Sequence, residues 1–251
     1  MTPKAPAAIP DYNAIAAFYR KHWCGHNHAG LISMLRRLLL NRVRPGARLL
    51  DVCCGAGTVA RQLVDDGFAV TGLDGASELI GFAREDVPEA GFFVADARDF
   101  QLDTQYEAAL CTFDSLSYMT SQEDLERVFH CVGAALQPGG LFLFDISLEP
   151  TYRNEWQRSF SMVDDREACF IRGVYDERDR IGKTMVTRFV EDGGWRRTDV
   201  TFVSRCHAPE EIATSLRRAG FAEIVGHRSD EDEELRREIG PGRAAWVAMK
   251  T

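Results

Sequence analysis

Residues 49–63 read LLDVCCGAGTVARQL, and the pattern of this segment indicates the fold class. A short apolar run ends at Asp51, a loop follows with Gly55 and Gly57, and a helical pattern begins directly after the loop. Glycine at these positions permits a tight turn and lets a ligand approach the backbone closely. A strand, a glycine loop and a helix in this order are typical of the first unit of a parallel sheet that binds a ligand at this turn.

Further apolar runs follow, and they alternate with helical patterns as far as residue 147. They read FAVTGLD, GFFVAD, YEAALCTF and GLFLFDIS, at 68–74, 91–96, 106–113 and 140–147. The runs are nearly continuous, as is expected of strands that are covered on both faces. Strands that alternate with helices predict a doubly wound parallel α/β sheet, although the nine residues 97–105 are few for a crossover connection.

The pattern changes after Ser147. Between Trp156 and Arg205 the residues alternate as in half-buried strands, and Glu-Asp-Gly-Gly at 191–194 is a favourable hairpin turn. This segment is therefore predicted to form an antiparallel β insertion. A helix then begins at Pro209, and two strands, at 222–227 and 244–250, complete the fold.

The composition limits the class of protein. The 251 residues include 30 lysines and arginines against 38 aspartates and glutamates, and the net charge of −8 argues against a nucleic-acid-binding protein. No uncharged run could span a membrane, and the N-terminal residues lack the apolar core of a signal peptide. The seven cysteines contain no CxxC pair, which predicts reduced thiols, no metal site and a cytoplasmic protein.

Three aspartates lie where consecutive predicted strands end: Asp51, Asp74 and Asp96. Ligands of open α/β sheets bind outside the carboxyl ends of the strands, so we expect the three carboxylates to line one crevice. The spacing of Asp74 from the glycine loop suits the hydroxyls of an adenosine ribose. Asp51 would repel a pyrophosphate and favours a cationic ligand end, such as the ammonium and sulfonium of S-adenosylmethionine.

These segments together resemble the class I S-adenosylmethionine-dependent methyltransferases. LLDVCCGAG resembles the first motif of that family, VTGLDGASELIGFAR the second, FFVADARDF the third and ALCTFDSLSYM the fourth, while PGGLFLFDIS resembles the strand after the motifs. The resemblance implies a Rossmann-like sheet of seven strands whose last strand, here AAWVAMK, is inserted antiparallel. Two residues depart from the pattern, because Cys53 stands where the family usually has glycine and Ala76 where it often has serine.

The resemblance also implies roles for residues at matching positions. Asp51, Gly55 and Gly57 would hold the methionine end of the cofactor, Asp74 the ribose, and Asp96 with Ala97 the adenine. The predicted cofactor-binding set also includes Tyr12, Tyr19, Cys53, Gly75, Thr112 and Phe113. Tyr12 and Tyr19 match members that act on small molecules, in which an N-terminal helix closes over the cofactor.

The chain is predicted to divide into four segments. They are a helical cap at 1–45, an S-adenosylmethionine-binding core at 46–150, an antiparallel β lid at 151–207, and the C-terminal helix with the last two core strands at 208–251. The insertion resembles the lid of natural-product and sugar N-methyltransferases. This predicts a small-molecule acceptor, with methylation of an amine slightly favoured over a hydroxyl.

Methyl transfer from a sulfonium needs no metal and mainly requires positioning, so a general base is optional. The candidates for such a base are His28, Tyr118, Asp145 and His207, and Asp145 is expected to face the crevice because it lies at a strand end. His22, His26 and His28 lie near Cys24, but their spacing matches no standard zinc template. A homodimer that forms through the β insertion is a further prediction, without a nucleic-acid or membrane partner.

Two alternative functions stay open at this stage. Gly55, Gly57 and Ala60 form a G-x-G-x-x-A pattern that is found in nicotinamide-dependent oxidoreductases, although Asp51 is unfavourable for a phosphate-binding loop. A non-catalytic protein could also bind S-adenosylmethionine through the same fold.

Overall fold

Two β-sheets organise the computed structural model, which describes residues 11–251. The strands are β1 (Arg48–Val52), β2 (Ala69–Asp74), β3 (Gly91–Val94), β4 (Tyr106–Cys111), β5 (Leu136–Ser147), β6 (Ser159–Val163), β7 (Glu167–Asp176), β8 (Ile181–Glu191), β9 (Trp195–Arg205), β10 (Phe221–Arg228) and β11 (Arg243–Lys250). The main sheet has seven strands in the order β10-β11-β5-β4-β1-β2-β3, and the second sheet has the order β6-β7-β8-β9. The predicted fold class is confirmed.

Helices cover both faces of the main sheet. They are α1 (Ala16–His22), α2 (His28–Leu38), α3 (Thr58–Asp65), α4 (Ser77–Asp86), α5 (Gln122–Ala135), α6 (Glu149–Asn154), α7 (Pro209–Arg218) and α8 (Glu233–Ile239). One core lies between the sheet and α5 with α7, and the other lies between the sheet and α2, α3, α4 and α8. Burial on both faces explains why the strand sequences are nearly continuous apolar runs.

The last strand is inserted antiparallel, as the resemblance implies. β11 pairs antiparallel with both β5 and β10, whereas all the pairs that β1 to β5 form among themselves are parallel. The order places β3 at the edge and β4 on the other side of β1, so residues 97–105 cross the sheet as an extended loop. This loop buries Phe100 in the core, which explains how a short connection without a helix is stabilised.

One strand begins earlier than predicted, and a helix forms between β10 and β11. β5 begins at Leu136, before the strand that the apolar run predicts at 140–147. The acidic segment between β10 and β11 forms α8, and its Leu235 and Ile239 are buried against α2. Glu238 on the same helix is buried as well, and it pairs with the guanidinium of Arg37 at 2.5 Å.

The second sheet packs one face against the N-terminal helices. Ile15 and Phe18 form a small core with Cys169, Val186 and Phe202 of that sheet. The same sheet also exposes large apolar side chains, namely Phe160, Val163, Phe170, Val174, Trp195 and Val203. A homodimer through this sheet stays a prediction.

The four predicted segments are a functional division, which stays a prediction. The first ten residues of the predicted cap lie outside the described residues. From residue 11 to the end of the chain, every helix is too short or too polar to cross a membrane.

Candidate functional site

A cavity opens at the carboxyl ends of β1 to β4, beneath the N-terminal helix α1. Nine of the twelve predicted cofactor residues line it: Tyr12, Tyr19, Cys53, Gly55, Asp74, Gly75, Asp96, Ala97 and Phe113. Asp51 and Thr112 line a smaller adjoining cavity that shares Tyr19, Cys53 and Phe113 with the first. Gly57 lies at the N-cap of α3. We refer to the first as the cofactor cavity.

The glycine loop alternates left-handed residues, which brings its backbone to the cavity wall. Cys53, Gly55 and Gly57 have φ of 59°, 55° and 78°. A side chain at Gly55 would be strained in this conformation and would also meet the ring of Tyr19, whose Cε1 lies 3.5 Å from an added Cβ. Cys53, the departure from the family pattern, therefore holds a conformation that favours glycine.

Asp74 fixes the loop against the end of β2. Its Oδ2 accepts the backbone N–H of Gly55 at 3.0 Å, and its Oδ1 accepts the N–H of Ala76 at 2.8 Å. Burial raises the pKa of Asp74, and these amide bonds oppose the shift. Each carboxylate oxygen accepts one bond here and can accept another, so Asp74 can hold the loop and still receive hydroxyl groups.

Asp51 is the most unusual group at the site. It is 1% exposed, and both of its carboxylate oxygens lack a hydrogen-bond partner among the residues from 11 to 251. Burial, together with the charge of Asp74, raises the pKa of Asp51 to about 8. Because an unpaired buried carboxylate is unfavourable, this arrangement indicates a cationic ligand.

Asp96 has an ion-pair partner, Arg98, that was not among the predicted site residues. Arg98 Nη2 donates to Asp96 Oδ2 at 2.7 Å, and Arg98 Nε lies 3.0 Å from Oδ1. Burial alone would raise the pKa of Asp96, but the hydrogen bonds and charge of Arg98 lower it overall. Arg98 also lies 3.4 Å from Asp124, so this edge of the cavity is a buried charge network. The only signal in the sequence was a basic residue two positions after Asp96.

Aromatic rings close the cavity from three parts of the chain. The hydroxyl groups of Tyr12 and Tyr118 lie 2.6 Å apart, although 106 positions separate them in the sequence. Tyr12 also stacks on Phe202 of β9 at 4.6 Å and meets the ring edge of Tyr19 at 5.3 Å. Burial raises the pKa of Tyr118 to about 12 and raises that of Tyr12 as well. Both phenols are therefore protonated at neutral pH and can orient a ligand but not remove a proton from it.

Asp145 does not face the crevice, although its position at a strand end predicts that it would. Its Oδ1 accepts the N–H of Phe113 at 2.8 Å, and its Oδ2 forms an ion pair with Arg243 of β11. The antiparallel insertion of β11 beside β5 brings Arg243 to this strand end. Asp145 thus lies behind Phe113, where it supports the cavity wall.

The two histidine candidates lie outside the cofactor cavity. His207 is 1% exposed and its Nε2 bonds the carbonyl oxygen of Met119 at 2.7 Å. Burial, with the nearby charge of Arg205, lowers the pKa of His207 to about 4, so the ring is neutral. His28 is the first residue of α2, and burial lowers its pKa too. Of the four predicted bases, Tyr118 is the one that lines the cofactor cavity.

Several lining residues were missed because they carry no motif: Trp23, His26, Leu79, Ala95, Arg98, Ser115 and Met119. Trp23 lies four residues after Tyr19, one helical turn further along, and its ring meets that of Tyr19 edge-on at 6.1 Å. Helical spacing from Tyr19 was therefore the available signal for Trp23.

Three potential metal ligands also converge near α1. Ligand atoms of His22, Asp164 and Glu167 lie within 4.8 Å of one another. Lys21 Nζ lies 2.6 Å from Asp164 and 3.3 Å from Glu167, and Arg188 pairs with Glu167 too. The carboxylates are thus neutralised by side chains of the protein, and the cluster ties α1 to the second sheet.

Known proteins share this fold and parts of this sequence. Residues 49–140 match the family described as "Methyltransferase domain". YqeM of Bacillus subtilis is 29% identical over 180 residues, which cover 69% of this chain and 73% of YqeM. A dTDP-3-amino-3,4,6-trideoxy-alpha-D-glucopyranose N,N-dimethyltransferase of Streptomyces venezuelae is 28% identical over 133 residues, 53% of this chain and 56% of the relative.

The fold as a whole matches a solved sugar N-methyltransferase, KedS8 of a Streptoalloteichus species. The TM-score is 0.79 at 22% identity, and the match covers all of this chain and 97% of KedS8. The family match, the sheet order with its antiparallel last strand, and the buried unpaired carboxylate beside the glycine loop agree with one another. Residues 49–140 of the chain therefore carry a methyltransferase domain, and the fold as a whole is that of the Rossmann-like S-adenosylmethionine-dependent methyltransferases.

Proposed function

We propose that this protein methylates an amino group of a small molecule. The observation that carries the proposal is Asp51, whose buried carboxylate has no partner in the described chain and is matched by a ligand that is cationic at one end. S-adenosylmethionine supplies an electrophilic methyl group on a sulfonium, so the protein needs only to bind, orient and desolvate the reactants. The segment 46–150 would bind the cofactor, and the cap (1–45) and the lid (151–207) would enclose the acceptor.

The lining residues fit the parts of this cofactor. Asp51 would pair with the ammonium, and the backbone at Gly55 leaves room for the methionine end. Asp74 would accept the ribose hydroxyls through its remaining lone pairs. Asp96 and Ala97 would contact the adenine, with Arg98 holding the Asp96 carboxylate in one orientation.

The aromatic pair supports an amine as the acceptor. Tyr12 and Tyr118 share one hydrogen bond, which leaves a proton and lone pairs free on the two oxygens. A phenol oxygen can accept an N–H of the amine and so aim the nitrogen lone pair at the methyl group. The S. venezuelae relative is named as a dimethyltransferase of an amino sugar, which is consistent with this chemistry.

The test begins with calorimetric titration of the protein with S-adenosylmethionine, S-adenosylhomocysteine and NADPH. We expect micromolar binding of the first two and none of NADPH. Turnover is then measured by mass spectrometry with the amino sugar named for the S. venezuelae relative and with its 3-hydroxy counterpart. A gain of one or two methyl groups on the amine supports the proposal, and methylation of the hydroxyl compound alone contradicts it.

Replacement of the ribose-binding carboxylate should weaken cofactor binding. Asp74→Ala removes charge-assisted hydrogen bonds worth roughly 1.5–3 kcal/mol each, so we expect affinity for S-adenosylmethionine to fall more than tenfold. Titration calorimetry measures the change. Asp103→Ala, an exposed aspartate in the loop before β4, is the control and should bind normally. Unchanged affinity in a folded Asp74→Ala protein would disprove the ribose assignment.

Tyr118 should act on the acceptor rather than on the cofactor. Tyr118→Phe removes the hydroxyl bonded to Tyr12 but keeps the ring, so we expect kcat/KM for the acceptor to fall about tenfold to a hundredfold. The affinity for S-adenosylmethionine should change less than threefold. Because burial keeps this phenol protonated, the pH profile of kcat should be the same in both proteins between pH 6 and 9. Loss of a limb from that profile would instead identify Tyr118 as a base.

A further inference from the structure

A second cavity lies at the same carboxyl edge of the main sheet, beyond the end of β5. We call it the arginine cavity, because Arg153 of α6, Arg180 of the turn between β7 and β8, and Arg228 at the end of β10 line it. Glu149, Asn154 and His207 complete its polar lining. The arginines come from three separate elements, and a sequence pattern could not have placed them together.

His207, which lines this cavity, has an acceptor atom without a partner in the described part of the chain. Its Nε2 is bonded to a carbonyl oxygen, which can only accept, so Nε2 carries the ring proton. The neutral ring therefore has a lone pair on Nδ1, and this buried atom lacks a partner within residues 11–251. A group that occupies the cavity must donate a hydrogen bond if it is to satisfy His207.

Arg180 presents an unused donor. Its backbone is left-handed, with φ of 57°, which is unfavourable for a side chain of this size. One terminal nitrogen of Arg180 lies 3.5 Å from the sulfur of Cys206, while its Nε is buried and unpartnered in the described part of the chain. The strained turn thus places the buried Nε of Arg180 and the buried ring of His207 in residues that line one cavity.

The other two arginines have only weak partners. Arg153 pairs with Glu149 at 2.8 Å and with Glu177 at 3.2 Å, and Arg228 pairs with Glu231 at 3.3 Å. All these side chains are at least 43% exposed, so water screens the ion pairs and a bound anion can replace them. The lining itself holds three arginines and one glutamate, while Glu177 and Glu231 pair with two of these arginines from outside the lining.

We propose that the arginine cavity binds an oxyanion that also carries a hydroxyl group, the chemistry of hydrogen phosphate. The anionic oxygens would accept from Arg180, Arg153 and Arg228, and the hydroxyl would donate to Nδ1 of His207. Sulfate has the same shape but no hydroxyl at neutral pH, so it leaves the imidazole unsatisfied. The phosphate would be either free or part of a phosphorylated small molecule, whose own hydroxyl can donate instead.

The cavity is adjacent to the proposed acceptor site. Met119 lines the cofactor cavity, and its carbonyl oxygen is the group that holds His207. A phosphate of the methyl acceptor could therefore bind here while its amine faces Tyr118. This last link rests on the proposed function, whereas phosphate binding itself does not.

The test is calorimetric titration of the full chain at pH 7 with inorganic phosphate, with sulfate at equal ionic strength and with glucose 1-phosphate. We expect saturable phosphate binding at least tenfold tighter than sulfate binding. Arg180→Gln should weaken phosphate binding at least tenfold, and Arg228→Gln, which changes an exposed and safely replaceable side chain, several-fold. Arg178→Gln, an exposed arginine of the same turn outside the cavity, is the matched control and should bind normally.

Some outcomes distinguish free phosphate from a phosphorylated small molecule, and others overturn the proposal. Tighter binding of glucose 1-phosphate than of phosphate supports a phosphorylated small molecule, and the reverse order supports free phosphate. Absence of saturable phosphate binding, equal binding of sulfate, or binding that survives both Arg180→Gln and Arg228→Gln overturns the proposal. S-adenosylmethionine binding is measured separately on each variant and should be unchanged, so a failure here leaves the methyltransferase proposal intact.

Discussion

Asp51→Asn is expected to lower cofactor affinity about a hundredfold, or roughly 2.8 kcal/mol, while it stabilises the protein without cofactor. The wild-type carboxylate is buried without a partner, so the cofactor-free fold bears the cost of desolvating it. The amide of Asn has the same shape and carries no charge to desolvate, but it cannot pair with an ammonium. Calorimetric titration and thermal denaturation of the same preparation measure the two effects.

The pH dependence of this variant has a defined sign. The pKa of Asp51 is about 8 in the folded protein and about 3.9 in an unfolded chain. The stability that Asp51 contributes is therefore fully present below about pH 4 and is lost as the pH rises through 8. The stability advantage of Asp51→Asn should accordingly grow from pH 5 to pH 8, by up to about 1.4 kcal/mol per pH unit.

Cofactor binding should show the opposite trend. A cation beside Asp51 favours its ionised form, so the wild-type protein should release a proton on binding near pH 7 and bind more tightly as the pH approaches 8. Asp51→Asn should show neither effect, and Asp103→Asn should behave like wild type. Equal affinity of wild type and Asp51→Asn would refute the assignment of Asp51 to the cationic end of the cofactor.

Asp145→Ala should act mainly on stability, because its carboxylate supports the site without facing it. The substitution leaves Arg243 without its ion-pair partner and Phe113 without an acceptor for its N–H. Removal of one member of a buried pair costs about 3–5 kcal/mol, and since Arg243 is partly exposed we expect about 3 kcal/mol. For a chain of this size this lowers the Tm by roughly 6–12 °C.

A matched double variant separates a structural role from a catalytic one. Asp145→Leu with Arg243→Met replaces both charges by apolar groups and should recover much of the stability lost in Asp145→Ala. Methyl transfer by the double variant should then be retained at temperatures below its Tm. If the double variant is folded but its kcat is lower by more than a hundredfold, Asp145 takes part in the chemistry after all.

Much of the cofactor cavity could be predicted from local sequence. Asp51, Asp74 and Asp96 follow the strands that their apolar runs indicate, and parallel strands bring their carboxyl ends to one edge. The glycine loop could also be predicted, because Gly55 and Gly57 have positive φ angles that few other residues adopt. These are short-range rules, which depend on neighbouring residues and on the periodicity of the strands.

Contacts between residues that lie far apart in the sequence could not be predicted from it, because the fold alone brings such residues together. Tyr12 meets Tyr118 across 106 positions, and Arg243 reaches Asp145 across 98. The prediction that Asp145 would face the crevice was wrong because β11 and the loop after β4 cover that strand end from opposite sides. No periodicity or motif encodes which side of a strand end another strand will cover.

The doubly wound sheet, the methyltransferase domain and the edge that carries the cofactor cavity were therefore predictable from local sequence, since apolar periodicity and strand-end acids are local properties. Which carboxylates are already paired, and which has no partner, depends on the tertiary structure. Asp96 has Arg98 and Asp145 has Arg243, while Asp51 is buried without a partner among the described residues. That difference arises from packing, which decides both the solvation of a charge and the groups within reach of it.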